Sequence, residues 1–91
     1  MMAGIECDMN FWICNTAENA PPFILAEQGY DVWLGNNRGT RYAQNHLTLD
    51  PKKAEYWSFN QEDMGLKDLP TFIDHILETT GQEKLTYIGH S

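Results

Sequence analysis

The chain runs out on Leu85-Thr86-Tyr87-Ile88-Gly89-His90-Ser91, a short apolar run leading into Gly-x-Ser. A β-strand that ends this way reads as the first half of a G-x-S-x-G nucleophile elbow. In that device a sharp strand-to-helix turn lifts a serine hydroxyl above a sheet. Gly-x-Ser alone arises by chance in a chain of this length with odds of about one in three, given ordinary residue frequencies. The residues before it decide its weight.

Residues 62–80 carry the strongest periodic signal. Leu66, Leu69, Phe72, Ile73, Ile76 and Leu77 recur at three- and four-residue steps, which is one apolar stripe of an amphipathic helix. Glu62 and Asp63 sit where the helix dipole favours acids, and Gly81 is placed to stop it. Pro70 falls inside the pattern, so the helix either starts near Asp68 or bends there. Upstream, Val32-Trp33-Leu34 is a continuous apolar run, as in a strand covered on both faces, and it exits through Gly35-Asn36-Asn37-Arg38-Gly39. A short helix is expected from Pro21 onward, with proline tolerated in its first turn and Gly29 ending it. Phe11-Trp12-Ile13 reads as a brief strand or a packing knot. Residues 40–60 have no period. Their aromatics, Tyr42, Tyr56, Trp57 and Phe59, favour a structured, Ω-like excursion over a pocket lining.

Strand, long connection, amphipathic helix, strand is the order of a βαβ unit, so the fold class is α/β with parallel strands flanked by helices. Ligands of open parallel sheets sit at the C-terminal ends of strands. Gly89-His90-Ser91 and the Gly35–Gly39 turn both fall at such an end, which raises the elbow reading above chance.

Composition narrows the remaining classes. The net charge of −7 is spread along the chain and suits neither a phosphate backbone nor an anionic membrane surface, so nucleic-acid binding is rejected. Cys7 and Cys14 fit no zinc or redox spacing and read as two free, partly buried thiols. No cluster has metal-ligand spacing, and Gly35–Gly39 is neither a P-loop nor a dinucleotide fingerprint. No metal, cofactor or stable partner chain is expected.

A serine needs a base to take its proton, usually a histidine oriented by a carboxylate. None of the three histidines fits. His90 adjoins Ser91, and neighbouring strand residues point to opposite faces. His75 lies on the helix and reads as surface or packing, and His46 lies in the long loop with a solvated or local role. In α/β-hydrolases the acid and the histidine follow the nucleophile, so both are expected beyond Ser91. The oxyanion hole takes one N–H from the residue after the serine and one from a loop behind an earlier strand, expected near the start of this chain.

Gly29-Tyr30-Asp31-Val32-Trp33-Leu34-Gly35-Asn36-Asn37-Arg38-Gly39, Tyr42, Phe59 through Leu69-Pro70, Thr80-Gly81-Gln82-Glu83-Lys84 and Tyr87-Ile88-Gly89-His90-Ser91 together resemble the acid lipases. These are the gastric, lysosomal and related insect and fungal α/β-hydrolase lipases and sterol esterases. The resemblance spans roughly residues 11–91. It implies a partial α/β-hydrolase fold, with residues 1–91 an incomplete N-terminal part of one domain. It implies Ser91 as the nucleophile of an acyl-enzyme mechanism on neutral lipid esters, acylglycerols or sterol esters. It also implies a cap inserted after the elbow and a secreted or lysosomal setting. The family's His-Gly-Leu-Leu motif aligns with Ala3-Gly4-Ile5. Histidine is replaced there, glycine and an apolar residue persist, and Ile5 would offer the early oxyanion N–H. That replacement and the doubled methionine lead to the expectation that the sequence starts inside the domain; without the acid, the base and the N–H that follow the nucleophile, the piece alone is expected to be inactive. The alternatives are a non-catalytic relative that binds lipid or a partner chain, and an esterase for smaller esters.

Overall fold

The computed structural model describes residues 1–91. They divide into two compact units, Met1–Asn36 with Tyr87–Ser91, and Asn37–Thr86.

The first unit is built around Met2, which is 4% exposed. Its backbone bridges in parallel to both Gly35 and Gly89. Gly35 N–H donates to the Met1 carbonyl at 3.0 Å, and the Met1 amino group donates to the Trp33 carbonyl at 2.7 Å. On the other edge Met2 N–H donates to Ile88 at 2.9 Å, and His90 N–H donates to Met2 at 3.1 Å. The two glycine turns expected at one strand edge therefore flank a single residue. The strands expected over 30–35 and 85–88 do not form ladders; only Gly35 and Gly89 are bridged. A parallel strand exists through its neighbours' hydrogen bonds. Met1 and Met2 are the partner for both segments, and two residues cannot pair with the length of either.

Phe11-Trp12-Ile13 is not a strand. It lies in a single helical turn, α1 (Asn10–Ile13). Asp8 starts it, its carboxylate accepting Asn10 N–H at 2.8 Å and its carbonyl accepting Phe11 N–H at 3.1 Å. Such Asx geometry competes with extended backbone and turns the chain. Helix α2 (Pro21–Glu27) packs against α1 and has proline in its first turn, as expected. It stops in a Schellman motif: Gly29 has φ +94°, Gly29 N–H bonds to Ala26 and Tyr30 N–H bonds to Leu25. Both thiols are free; Cys7 is half-buried, whereas Cys14 is exposed rather than partly buried.

The second unit gathers the aromatics of the long loop, so the structural role expected of them holds for Tyr56, Trp57 and Phe59. Tyr56, on a 3-10 turn (Ala54–Trp57), is 6% exposed and donates its hydroxyl to the Ala43 carbonyl. Its ring meets Trp57 and Phe59 edge-on, at 4.9 and 6.2 Å between centroids. Tyr42 is exposed, with the Arg41 guanidinium over its ring at 5.6 Å.

The amphipathic helix begins earlier than Pro70 alone would suggest, and the reason is local. Helix α3 (Gln61–Asp63) runs through a π-helical turn (Met64–Asp68) into α4 (Leu69–Thr80). Pro70 has no N–H to give Leu66, and its ring would press on that carbonyl. Widening the preceding turn, so that Leu69 N–H reaches back to Met64, makes room without breaking the helix. Gly81, at φ +70°, ends α4 and donates to Leu77. At the other end Asn60 and Asp63 form a reciprocal capping box, with each side chain accepting the other's backbone N–H.

The Asp63 carboxyl is held below its ordinary value, first by the Lys67 ammonium bonded to it at 3.0 Å and then by the Asn60 N–H. A depressed carboxylate stabilises the fold above its unfolded value, and that contribution fades as pH falls through the folded one. Helicity at 222 nm is therefore expected to weaken on acidification below the ordinary aspartate range, near 3.8. Asp63→Asn is expected to flatten that dependence; an unchanged acid limb would show that another group governs it.

Candidate active site

Ser91 has φ +56°, in the left-handed region that serine rarely occupies. Such a conformation costs of order 1–3 kcal/mol and concentrates at functional sites. It is what a serine on a nucleophile elbow needs, because the chain must reverse sharply just where the strand direction ends.

The loop that leaves Met2 lies against this serine. A methyl group on Gly4 would come within 2.8 Å of Ser91 Cβ, 3.2 Å of the His90 carbonyl and 3.3 Å of His90 Nδ1. Only glycine permits so close a backbone approach. After Gly4 the chain makes a tight turn, with Cys7 N–H bonded to the Gly4 carbonyl at 3.1 Å and Glu6 at φ +62°. Ile5 sits at the first bend of that turn. Its side chain is 56% exposed, and its N–H donates to no group of the chain. The structure thus places Gly4, the residue before Ile5, against Ser91 from the opposite end of the chain.

Two residues that sequence reasoning passed over hold this arrangement. Asn36, read only as a turn former, accepts Met9 N–H on its Oδ1 at 2.9 Å and so ties down the segment behind the Gly4–Cys7 turn. Phe11, read only as bulk, stacks on His90 with centroids 4.4 Å apart and planes 23° from parallel. Neither signal stands out in one sequence, because each depends on a partner far along the chain.

The histidines fall out as expected. The His90 ring is stacked on Phe11. His46 Nδ1 accepts the N–H groups of Thr48 and Leu49 at 3.0 and 2.9 Å, a local role. His75 is an exposed residue of α4. No cluster of histidine, cysteine or carboxylate side chains could hold a metal ion. No helix is long and apolar enough to cross a membrane.

The second unit has a cleft of about 400 Å³ lined by Arg38, His46, Tyr56 and Phe59 among others. Its charges are already paired: Arg38 with Asp68 at 2.6 Å and Lys67 with Asp63 at 3.0 Å. It holds nothing resembling an activated nucleophile.

Ser91, at a positive φ, is thus packed closely by the backbone of an early glycine-led loop. The profile of the α/β hydrolase fold matches residues 6–91, and the chain belongs to that family. Its relatives are lipases. It is 49% identical over 88 residues to Lipase member K of Mus musculus, covering 97% of this chain and 22% of that protein. It is 52% identical over 80 residues to Gastric triacylglycerol lipase of Bos taurus, covering 88% and 20%. With Lipase 1 of Drosophila melanogaster it shares 54% identity over 69 residues, covering 76% and 16%. The chain thus spans about a fifth of the length of the lipases it matches.

Proposed function

We propose that these residues form the nucleophile-bearing part of a serine ester hydrolase acting on neutral lipids, acylglycerols or sterol esters. The juxtaposition of Gly4 with a left-handed Ser91 carries the reading. Ser91 Oγ attacks the ester carbonyl and gives its proton to a general base. The carbonyl oxygen becomes an oxyanion, which the Ile5 N–H helps to hold. Collapse expels the alcohol, now protonated, and leaves an acyl-serine that water hydrolyses by the same steps. In this reading the base is none of the histidines at 46, 75 or 90 but follows Ser91 in the whole domain, as in α/β-hydrolases, and the 91 residues by themselves are expected to be inactive. In the whole domain, residues 30–35 and 85–88 become full parallel strands on either side of the segment that begins at Met1. The names of the relatives support a lipid ester as substrate, and a secreted or lysosomal setting follows from the same resemblance.

The test is a chain-length series of fluorogenic esters, with a triacylglycerol emulsion and a sterol ester, on the full-length protein that carries this segment. Activity on long-chain esters is expected, with Ser91→Ala lowering kcat by at least about 10³-fold. Undiminished activity of Ser91→Ala would reject the nucleophile. A profile peaking at acetate would replace the lipid substrate with small esters.

A further inference from the structure

We propose that Phe11 is a positioning residue for the nucleophile, acting through His90 to fix the distance between Ser91 and the Ile5 N–H. The inference rests on the reading of Ser91 and Ile5 given above and adds a part to that machinery. The two groups that must converge on one carbonyl belong to segments joined through the backbone only at Met2. Bridges at one residue fix a position but leave rotation about the pairing axis. A second point of attachment is needed to set the angle at which the loop faces the serine.

The stack of Phe11 on His90 supplies it. Phe11 lies on α1, a few residues along the same segment as Gly4 and Ile5, while His90 immediately precedes Ser91. Their rings sit 4.4 Å apart and nearly parallel, and the Phe11 ring is held edge-on by Trp12 at 5.2 Å and 81°. A methyl group on Gly4 would lie 3.3 Å from Nδ1 of the same His90 ring, so the loop backbone passes close to it. His90 therefore lies near the loop backbone and is stacked on an aromatic from the helix that follows that loop. Aromatic stacks of this kind are worth about 0.5–1.5 kcal/mol beyond burial, a modest sum for stability. Their geometric effect is larger, since a misplacement of about 1 Å at a reacting centre can cost about 10²-fold in rate.

The experiment compares wild type with Phe11→Leu, which keeps apolar volume but removes the ring face, and Phe11→Tyr, which restores the face. The first readout is NMR of the isotope-labelled 91-residue chain. Wild type is expected to show upfield-shifted His90 ring protons and cross-peaks between Gly4 and Ser91. Phe11→Leu loses both, and Phe11→Tyr keeps both. Wild-type spectra without the upfield shift, or Gly4–Ser91 cross-peaks that survive in Phe11→Leu, overturn the proposal. The second readout is ester hydrolysis by the full-length protein. Phe11→Leu is expected to lower kcat about tenfold with KM within twofold, and Phe11→Tyr to recover it; a kcat left at wild-type level overturns the proposal. Loss of the cross-peaks in a protein whose wild type hydrolyses no ester would reject the hydrolase reading while leaving the Phe11 clamp intact.

Discussion

Gly39→Ala is expected to lower the stability of the Asn37–Thr86 unit by about 2–4 kcal/mol, from left-handed strain and overpacking together. Gly39 has φ +83°. A Cβ there would lie 2.6 Å from Phe59 Cζ and 2.9 Å from a ring carbon of Trp57. The backbone thus passes beneath two aromatic rings that also pack on Tyr56. Neither ring can withdraw without disturbing the other, and a small domain has little stability to lose. Urea unfolding followed by tryptophan fluorescence reads this directly. A midpoint that moves by less than the equivalent of about 0.5 kcal/mol would show that the rings shift freely, against the packing described.

Asp68→Ala should destabilise the same unit by about 2–3 kcal/mol, the range for charge-assisted hydrogen bonds with an allowance for partial solvent screening. The Asp68 carboxylate accepts from Arg38 Nε and Nη2 at 2.8 and 2.6 Å, and also from the Arg38 backbone N–H at 3.0 Å. The Asp68 side chain is 16% exposed and that of Arg38 34%. Arg38 in turn lies over the Phe59 ring at 5.9 Å, and the carboxylate bonded to it keeps its guanidinium protonated above even its ordinary range. Removing Asp68 leaves three donors without their acceptor at once. Arg38→Lys should recover little, because an ammonium cannot reproduce the fork. If Asp68→Ala and Asp68→Asn unfold at the wild-type urea midpoint, the clamp contributes no net stability.

Much of the architecture was written in local chemistry. The apolar stripe from Leu66 to Leu77 and the stop at Gly81 are spacing and backbone effects that one sequence displays, and both are present. So is the proline-led helix that ends at Gly29. The capping box of Asn60 and Asp63 was equally legible as Asn-x-x-Asp, though only its acidic half was used. What was not legible depends on distant partners. Val32-Trp33-Leu34 has the composition of a buried strand, yet a strand needs neighbours, and only Gly35 has one. Residues 1–10 show no period because Met1 and Met2 work by position, not pattern. For the candidate site, the close approach to Ser91 is made by the backbone of Gly4, the residue before Ile5. Asn36 and Phe11 could be seen only once the chain was folded.

The double bridging of Met2 also imposes a timetable. The bond to Gly35 closes a loop of moderate length, whereas the bond to Gly89 must join nearly the whole sequence. The entropic cost of closure rises only slowly with length, but the search for so distant a partner slows folding. On a ribosome, Gly35 emerges and can settle against Met2 while the other edge of that residue is still unfilled. The residues from Asn37 to Thr86 can complete their aromatic cluster and their helix in the interval. Of the two pairings of Met2, the one to Gly89 is thus the later to form.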